Sequence, residues 1–114
     1  MKASIWHNPR CSKSREALAI LQATPGLEIE IVEYLKISPN RAELEALFAK
    51  AGITPAQALR KGESVVKEIG LDTNDDAAIL DAMLSHPILI ERPIVITEKG
   101  AVIARPPEKA RDVL

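Results

Sequence analysis

The first thirty-four residues change their hydrophobic period twice, and this constrains the fold more than any other feature of the chain. "ASIWHN", Ala3 to Asn8, is a short apolar run that stops at Asn8-Pro9, the pattern of a strand and its end. From Ser14 onward Ala17, Leu18, Ile20 and Leu21 gather on one side of a 3.6-residue period, with Glu16 and Gln22 elsewhere, until Pro25-Gly26. That spacing predicts a helix. "EIEIVEY" then alternates, Ile29 and Ile31 facing one way and Glu28 and Glu30 the other, as in a half-buried strand near a sheet edge. Strand, helix and strand within about 35 residues make a βαβ unit, because parallel strands need a crossover of that kind.

The middle of the chain carries helix signals only. Asn40 with Glu43 is a capping pair, Leu44, Leu47, Phe48 and Ala51 recur at helical spacing, and Gly52 follows as a stop. Thr54, Pro55 and Gln57 supply a second start. "ESVVKEIG" predicts a short helical turn closing at Gly70, and "TNDDAAILDAML" a helix with an acidic start, ending before Pro87. Residues from about 39 to 86 therefore read as an all-helical insert. Strand patterns return in "PIVIT" and "AVIA", with Gly100 expected to supply the hairpin turn and "PPEKARDVL" a final helix. The expected fold class is α/β, in a single domain spanning residues 1–114.

A chain of 114 residues with 46% hydrophobic residues can bury a useful core without metal or disulfide staples. Its net charge of −1 argues against broad nucleic-acid binding, which needs a basic footprint. No run approaches the roughly 20 apolar residues of a membrane span, and the start lacks the apolar core of a signal peptide. One cysteine and no export signal point to a cytoplasmic, reducing setting. No Cys/His cluster has zinc spacing, so no metal site is expected. His86, before Pro87, reads as a helix C-terminal residue.

The only cysteine, Cys11, stands in "HNPRCSKSR", His7 to Arg15. It falls in the loop between a strand end and a helix start. The unpartnered N–H groups of a first helical turn stabilise anions. Arg10, Lys13 and Arg15 add positive charge, as His7 would when protonated. Ser12 and Ser14 bring hydroxyl donors. A thiol of ordinary pKa about 8.5 ionises more readily in such a setting. A buried structural cysteine is the other reading. Arg60 fits a solvated charge on a helix surface, and Arg105 fits a strand end. Arg92 precedes Pro93, which opens an apolar strand where a ladder donor is not needed.

"HNPRCSKSR" resembles the H-N-P-x-C-x-x-S-R signature of the glutaredoxin-coupled arsenate reductase (ArsC-like) family. "ALRKGESVVKEIGL" resembles the family segment whose substrate-site arginine falls on Arg60. "ERPIVITEKGAVIARPPE" resembles its R-P-I-V and R-P-x-E segment, whose functional arginines fall on Arg92 and Arg105. The resemblance implies a thioredoxin-like, glutaredoxin-type fold, with a four-stranded mixed sheet and the helical insert between the second and third strands. It implies a cis Arg92–Pro93 bond that brings Arg92 beside Cys11. It further implies Cys11 as nucleophile, Arg60, Arg92 and Arg105 as an oxyanion clamp, and His7, Ser14, Arg15 and Pro93 in support. Arsenate is then the implied substrate, glutathione the reducing co-substrate and glutaredoxin the partner, with no bound cofactor. Ser12, Lys13 and Glu16 depart from the Gly-Thr and Asn of the resistance enzymes. A related branch regulates transcription by binding RNA polymerase and often carries C-x-x-C, but here Ser14 takes the second position. That binding role, and thiol chemistry on another substrate, are the alternative readings.

Overall fold

The strand β1 (Lys2–Trp6) pairs in parallel with β2 (Glu28–Val32), in register from Lys2–Glu28 to Trp6–Val32, and the helix α1 (Ser12–Gln22) is the crossover between them. The computed structural model describes every residue from Met1 to Leu114. Two further strands, β3 (Ile94–Thr97) and β4 (Gly100–Ile103), form a hairpin, and β3 lies antiparallel to β1. The sheet order is β2-β1-β3-β4, so β2 is an edge strand, as its alternating sequence predicts. The result is the expected mixed sheet of four strands.

The chain divides into two compact units, one of Met1–Ile37 with Arg92–Leu114, the other of Ser38–Glu91. The first unit contains the sheet. Side chains alternate across a strand, so the register places Ala3, Ile5 and Val95 on one face. There they join Ala17 and Leu21 of α1 and Ala104, Ala110 and Val113 of the C-terminal segment in one buried cluster. Burying one such large side chain is worth about 1.5–3 kcal/mol, whereas an 11-residue helix is marginal alone. Packing therefore holds α1, and with it the loop at its start. On the other face Trp6 stacks on the buried Tyr34, ring centroids 5.9 Å apart.

Three expectations in this unit need correction. Gly100 does not form the hairpin turn. The turn is Glu98-Lys99, and Gly100 is the first residue of β4, paired with Thr97. Its φ of 151° is backbone that glycine alone adopts readily. The last segment, Pro107–Val113, is a 3-10 helix rather than an α-helix. Ile31 shares a strand face with Ile29 but is 47% exposed, whereas Ile29 packs on the core. An edge strand has a neighbour on only one side, and the alternation alone does not register that.

The second unit is helical: α2 (Arg41–Ala51), α3 (Pro55–Ala58), α4 (Ser64–Glu68), α5 (Asp76–Ser85) and a 3-10 turn at Pro87–Leu89. Both predicted capping boxes form. Asn40 caps the Glu43 amide at 2.8 Å and Glu43 returns to the Asn40 amide, and Thr54 and Gln57 repeat the exchange. Gly52 ends α2 in the left-handed conformation, φ 67°, which costs glycine no Cβ clash. His86 is the C-cap of α5, as expected. Leu59 and Ile90 form an isolated antiparallel bridge, flanked by bonds from the Arg60 amide to the Leu89 carbonyl and from the Glu91 amide to the Ala58 carbonyl. No helix of the chain is long and apolar enough to cross a membrane.

Candidate active site

Cys11 is the N-cap of α1. The loop that presents it is tied at almost every residue. The Asn8 side chain accepts from the Arg10 amide at 3.0 Å, an Asx turn. The Cys11 amide donates to the Asn8 carbonyl at 3.0 Å. Arg15, one turn along α1, donates from Nη1 to the Pro9 carbonyl at 3.0 Å. Beneath the loop lies a buried polar set. Ser14 Oγ accepts from the Asn8 amide at 3.1 Å and shares a 2.7 Å hydrogen bond with His7 Nδ1. Ser14 is fully buried and His7 and Asn8 nearly so. Removing any member would leave a buried polar group unsatisfied, which costs about 1–3 kcal/mol, so the set fixes the loop's conformation.

These contacts bear on two expectations. The Ser14 hydroxyl binds His7 and the Asn8 amide and so supports the loop rather than the sulfur; it is the Ser14 backbone amide that stabilises Cys11. His7 would lend positive charge only when protonated, and a loop hydrogen-bonding role is the other reading of it. Burial lowers its pKa, with Glu33 acting upward and Arg15 downward, so its neutral form is favoured and its role is to hold Ser14.

Cys11 is partly buried. Burial pushes the Cys11 thiol up, but the Ser14 amide, the Arg92 guanidinium and the Lys13 amide together outweigh it, and the net shift is downward. The helix start acts as the loop sequence predicts, but the cation that joins it is Arg92 rather than Arg10, Lys13 or Arg15 of the loop. Cys11 makes no side-chain capping hydrogen bond.

Arg92 reaches Cys11 as a hydrogen-bonding cation, from its position just before Pro93. The Arg92–Pro93 bond is cis, as the resemblance implies, and Arg105–Pro106 is cis as well, which nothing in the sequence foretold. Arg105 places Nη1 3.9 Å from Cys11 Sγ and donates from the same nitrogen to the Arg92 carbonyl at 3.0 Å. At 3.9 Å the contact with sulfur is mainly one of charge. The bond to Arg92 is the firmer one, and it joins the two arginines. Cys11, Arg92 and Arg105 come together in the first unit.

Arg60 lies in the second unit. Its Nη1 donates to Glu91 at 2.7 Å and its Nε to Glu63 at 3.2 Å. Burial works against its charge, but Glu91 and Glu63 overcome this and raise its pKa. It is thus neither a solvated surface charge nor a free cation. The sequence signal for Glu63 is its i+3 spacing from Arg60; none marks Glu91. Asn8 was read only as a strand stop, though Asn-Pro is also a turn signal. No three His, Cys, Asp or Glu side chains gather as a metal site would require.

The sequence profile of the ArsC family matches residues 6–113. The chain belongs to the ArsC family. Among its relatives, "Arsenate reductase" of Rhizobium meliloti is 47% identical over 116 aligned positions, covering 100% of this chain and 82% of that protein. "Arsenate reductase" of Neisseria meningitidis is 43% identical, with 96% of each chain covered. Among solved structures, an arsenate reductase from Vibrio cholerae superposes with a TM-score of 0.93 at 41% identity, over 100% of this chain and 98% of that one. The thioredoxin-like α/β fold of these neighbours is the fold expected from the sequence.

For this ArsC-family protein the lowered thiol pKa has a direct test. Alkylation of Cys11 by iodoacetamide should follow a pH profile whose midpoint lies below that of free cysteine. A midpoint at or above the free value would remove the anion-stabilising role of the helix start. The sign carries over to stability. A depressed folded-state pKa favours the ionised protein, so this contribution is fully present above the ordinary thiol pKa and is lost as pH falls through the folded value.

Proposed function

We propose that this protein reduces arsenate to arsenite. The observation that carries the reading is an anion-stabilised Cys11 with Arg92 and Arg105 beside it, in a family whose members named above are arsenate reductases. The Cys11 thiolate attacks arsenic, the As–S bond forms, and an arsenate oxygen leaves as water after protonation. The guanidiniums of Arg92 and Arg105 hold the remaining oxygens in planar forks of donors. Resemblance to the family also implies a substrate role for Arg60, which would have to exchange a carboxylate partner for an oxyanion.

Cys11 is the only thiol of the chain, so the second and third thiols come from solution. Glutathione forms a second As–S bond with loss of water. A glutaredoxin thiolate then attacks the glutathione sulfur, the electron pair of that As–S bond passes to arsenic, and glutathione leaves on glutaredoxin as a mixed disulfide. Hydrolysis of the Cys11 adduct releases arsenite and restores the thiolate. A supply of reduced glutathione suits the cytoplasm. The protein contributes a nucleophile and an electrostatic cradle, with no bound cofactor.

Arsenite release is expected with glutathione and glutaredoxin together, and not with thioredoxin and its reductase in their place. Sustained turnover on thioredoxin alone would reject the glutathione route. A folded protein with a reactive Cys11 and no turnover on any donor would reject arsenate as substrate.

A further inference from the structure

The sheet ends in two edge strands, and they differ. In β4 no residue is fully exposed, and the Pro107–Val113 segment packs beside it. In β2 Glu28, Glu30 and Ile31 are all exposed. The parallel register fixes where the backbone groups of β2 point. The Glu28 amide donates to the Met1 carbonyl at 3.0 Å, and the His7 amide donates to the Val32 carbonyl at 2.9 Å. Glu28, Glu30 and Val32 therefore turn their backbone groups to β1. Backbone groups alternate in direction along a paired strand, so the N–H and C=O of Ile29 and Ile31 point to the open side. An unpaired row of this kind is a template for another strand. The side chains alternate as well. Ile29 and Ile31 lie on the face of α1, and Glu28 and Glu30 on the other.

We propose that the open edge of β2 takes up an extended segment of a partner protein, in which basic residues alternate with valine or isoleucine, as an added antiparallel strand. Its apolar side chains lie beside Ile29 and Ile31 and cover the exposed Ile31. Its basic side chains stand opposite Glu28 and Glu30, and cross-strand pairs of opposite charge favour the pairing. Both carboxylates are available. The Glu28 side chain has no hydrogen bond or ion pair. Glu30 has only the Ser4 hydroxyl at 3.3 Å and Lys2 at 3.8 Å, both at the surface, where such contacts are weak. Charge also argues against a second copy of this chain as the occupant. A copy aligned antiparallel along the whole strand sets Glu30 directly opposite its own twin, and like charges so placed are destabilising. This surface is separate from the reaction proposed above, and its test needs no arsenate.

The probe is a seven-residue peptide that alternates lysine with valine, acetylated and amidated, added to the full chain and followed by amide hydrogen exchange. In the free protein the Ile29 and Ile31 amides should exchange fast, and those of Glu30 and Val32, bonded to β1, slowly. The peptide should slow Ile29 and Ile31 by about tenfold or more and leave Glu30 and Val32 unchanged. A peptide of the same composition with its valines in one block should bind about tenfold more weakly, and a glutamate–valine peptide not at all. In the added strand the valine amides face β2 and the lysine amides face away. N-methylation of the valines should therefore abolish the protection, and N-methylation of the lysines should keep it. Glu28→Lys with Glu30→Lys should weaken the lysine peptide about tenfold and admit the glutamate peptide, with a melting temperature near that of wild type. No protection of Ile31 by the lysine–valine peptide overturns the proposal. Equal binding of the alternating and blocked peptides, or equal loss with either methylation pattern, reduces the effect to unspecific charge attraction and overturns it too. Protection of Ile31 that rises with protein concentration alone assigns the edge to a second copy and also overturns it.

Discussion

Cys11→Ser should keep the fold and lower arsenate reduction by about a thousandfold or more, the scale of losing a covalent nucleophile. The fold is expected to survive because the position is a helix N-cap, where serine ranks among the preferred residues. The variant should therefore melt at or slightly above the wild-type temperature. The loss is expected to be nearly complete because no second thiol exists in the chain to take over the attack. Circular dichroism on melting and arsenite release under the glutathione couple, run on both proteins, give the two readouts. Activity within tenfold of wild type would place the chemistry elsewhere. A variant that fails to fold would return Cys11 to the structural reading.

Arg92→Ala and Arg105→Ala should each lower kcat/KM for arsenate by about tenfold to a hundredfold, since a charged hydrogen bond is worth about 1.5–3 kcal/mol. The two should differ in their side effects. Arg92 lowers the Cys11 pKa directly, so its loss should also shift the alkylation midpoint upward. Arg105 holds the Arg92 carbonyl, so its loss should loosen Arg92 as well, and the double variant should fall short of additivity. Arg105→Lys keeps the charge without the planar fork and should recover only part of the loss. The measurement is initial rate against arsenate concentration, with melting temperature as the control for folding. Single variants that fold and show wild-type kcat/KM would remove the clamp.

Much of the fold could be read directly from local signals. The period changes between Ala3 and Tyr34 mark strand, helix and strand, because burial on one side imposes its own spacing on each element. The capping boxes at Asn40 and Thr54 are self-contained, three residues closing on themselves, and they form as read. What was hidden depends on partners distant in sequence. The exposure of Ile31 follows from β2 lying at the edge. Proline at the start of the C-terminal segment suits a helix start of either kind, and seven residues pinned by Ala110 and Val113 on the core settle as 3-10.

The site divides in the same way. The setting of Cys11 is legible because the strand end and helix start are adjacent in the chain, whereas the basic neighbours Arg10, Lys13 and Arg15 are not the cations that lower its pKa. Arg92 is legible through Pro93. The role of the Ser14 hydroxyl is not, since two nearby groups compete for it and only three-dimensional packing decides that His7 wins. Arg60 is the hardest case. Its partner Glu91 lies 31 residues away and reaches it through the backbone bridge of Leu59 and Ile90, a pairing too short to leave a strand pattern.

The position of Cys11 as an N-cap couples chemistry to helix stability. The amides of Lys13 and Ser14 lean on the sulfur only while it is an anion. Arylation, alkylation or the arsenic adduct removes that negative charge from the sulfur, and the first turn of α1 loses its terminal counter-ion at the same moment. The reactive residue is thus also the clasp of its own scaffold, fastened in the resting enzyme and released midway through each cycle. The buried His7–Ser14–Asn8 set beneath it keeps the rest of the loop in place while the clasp is undone.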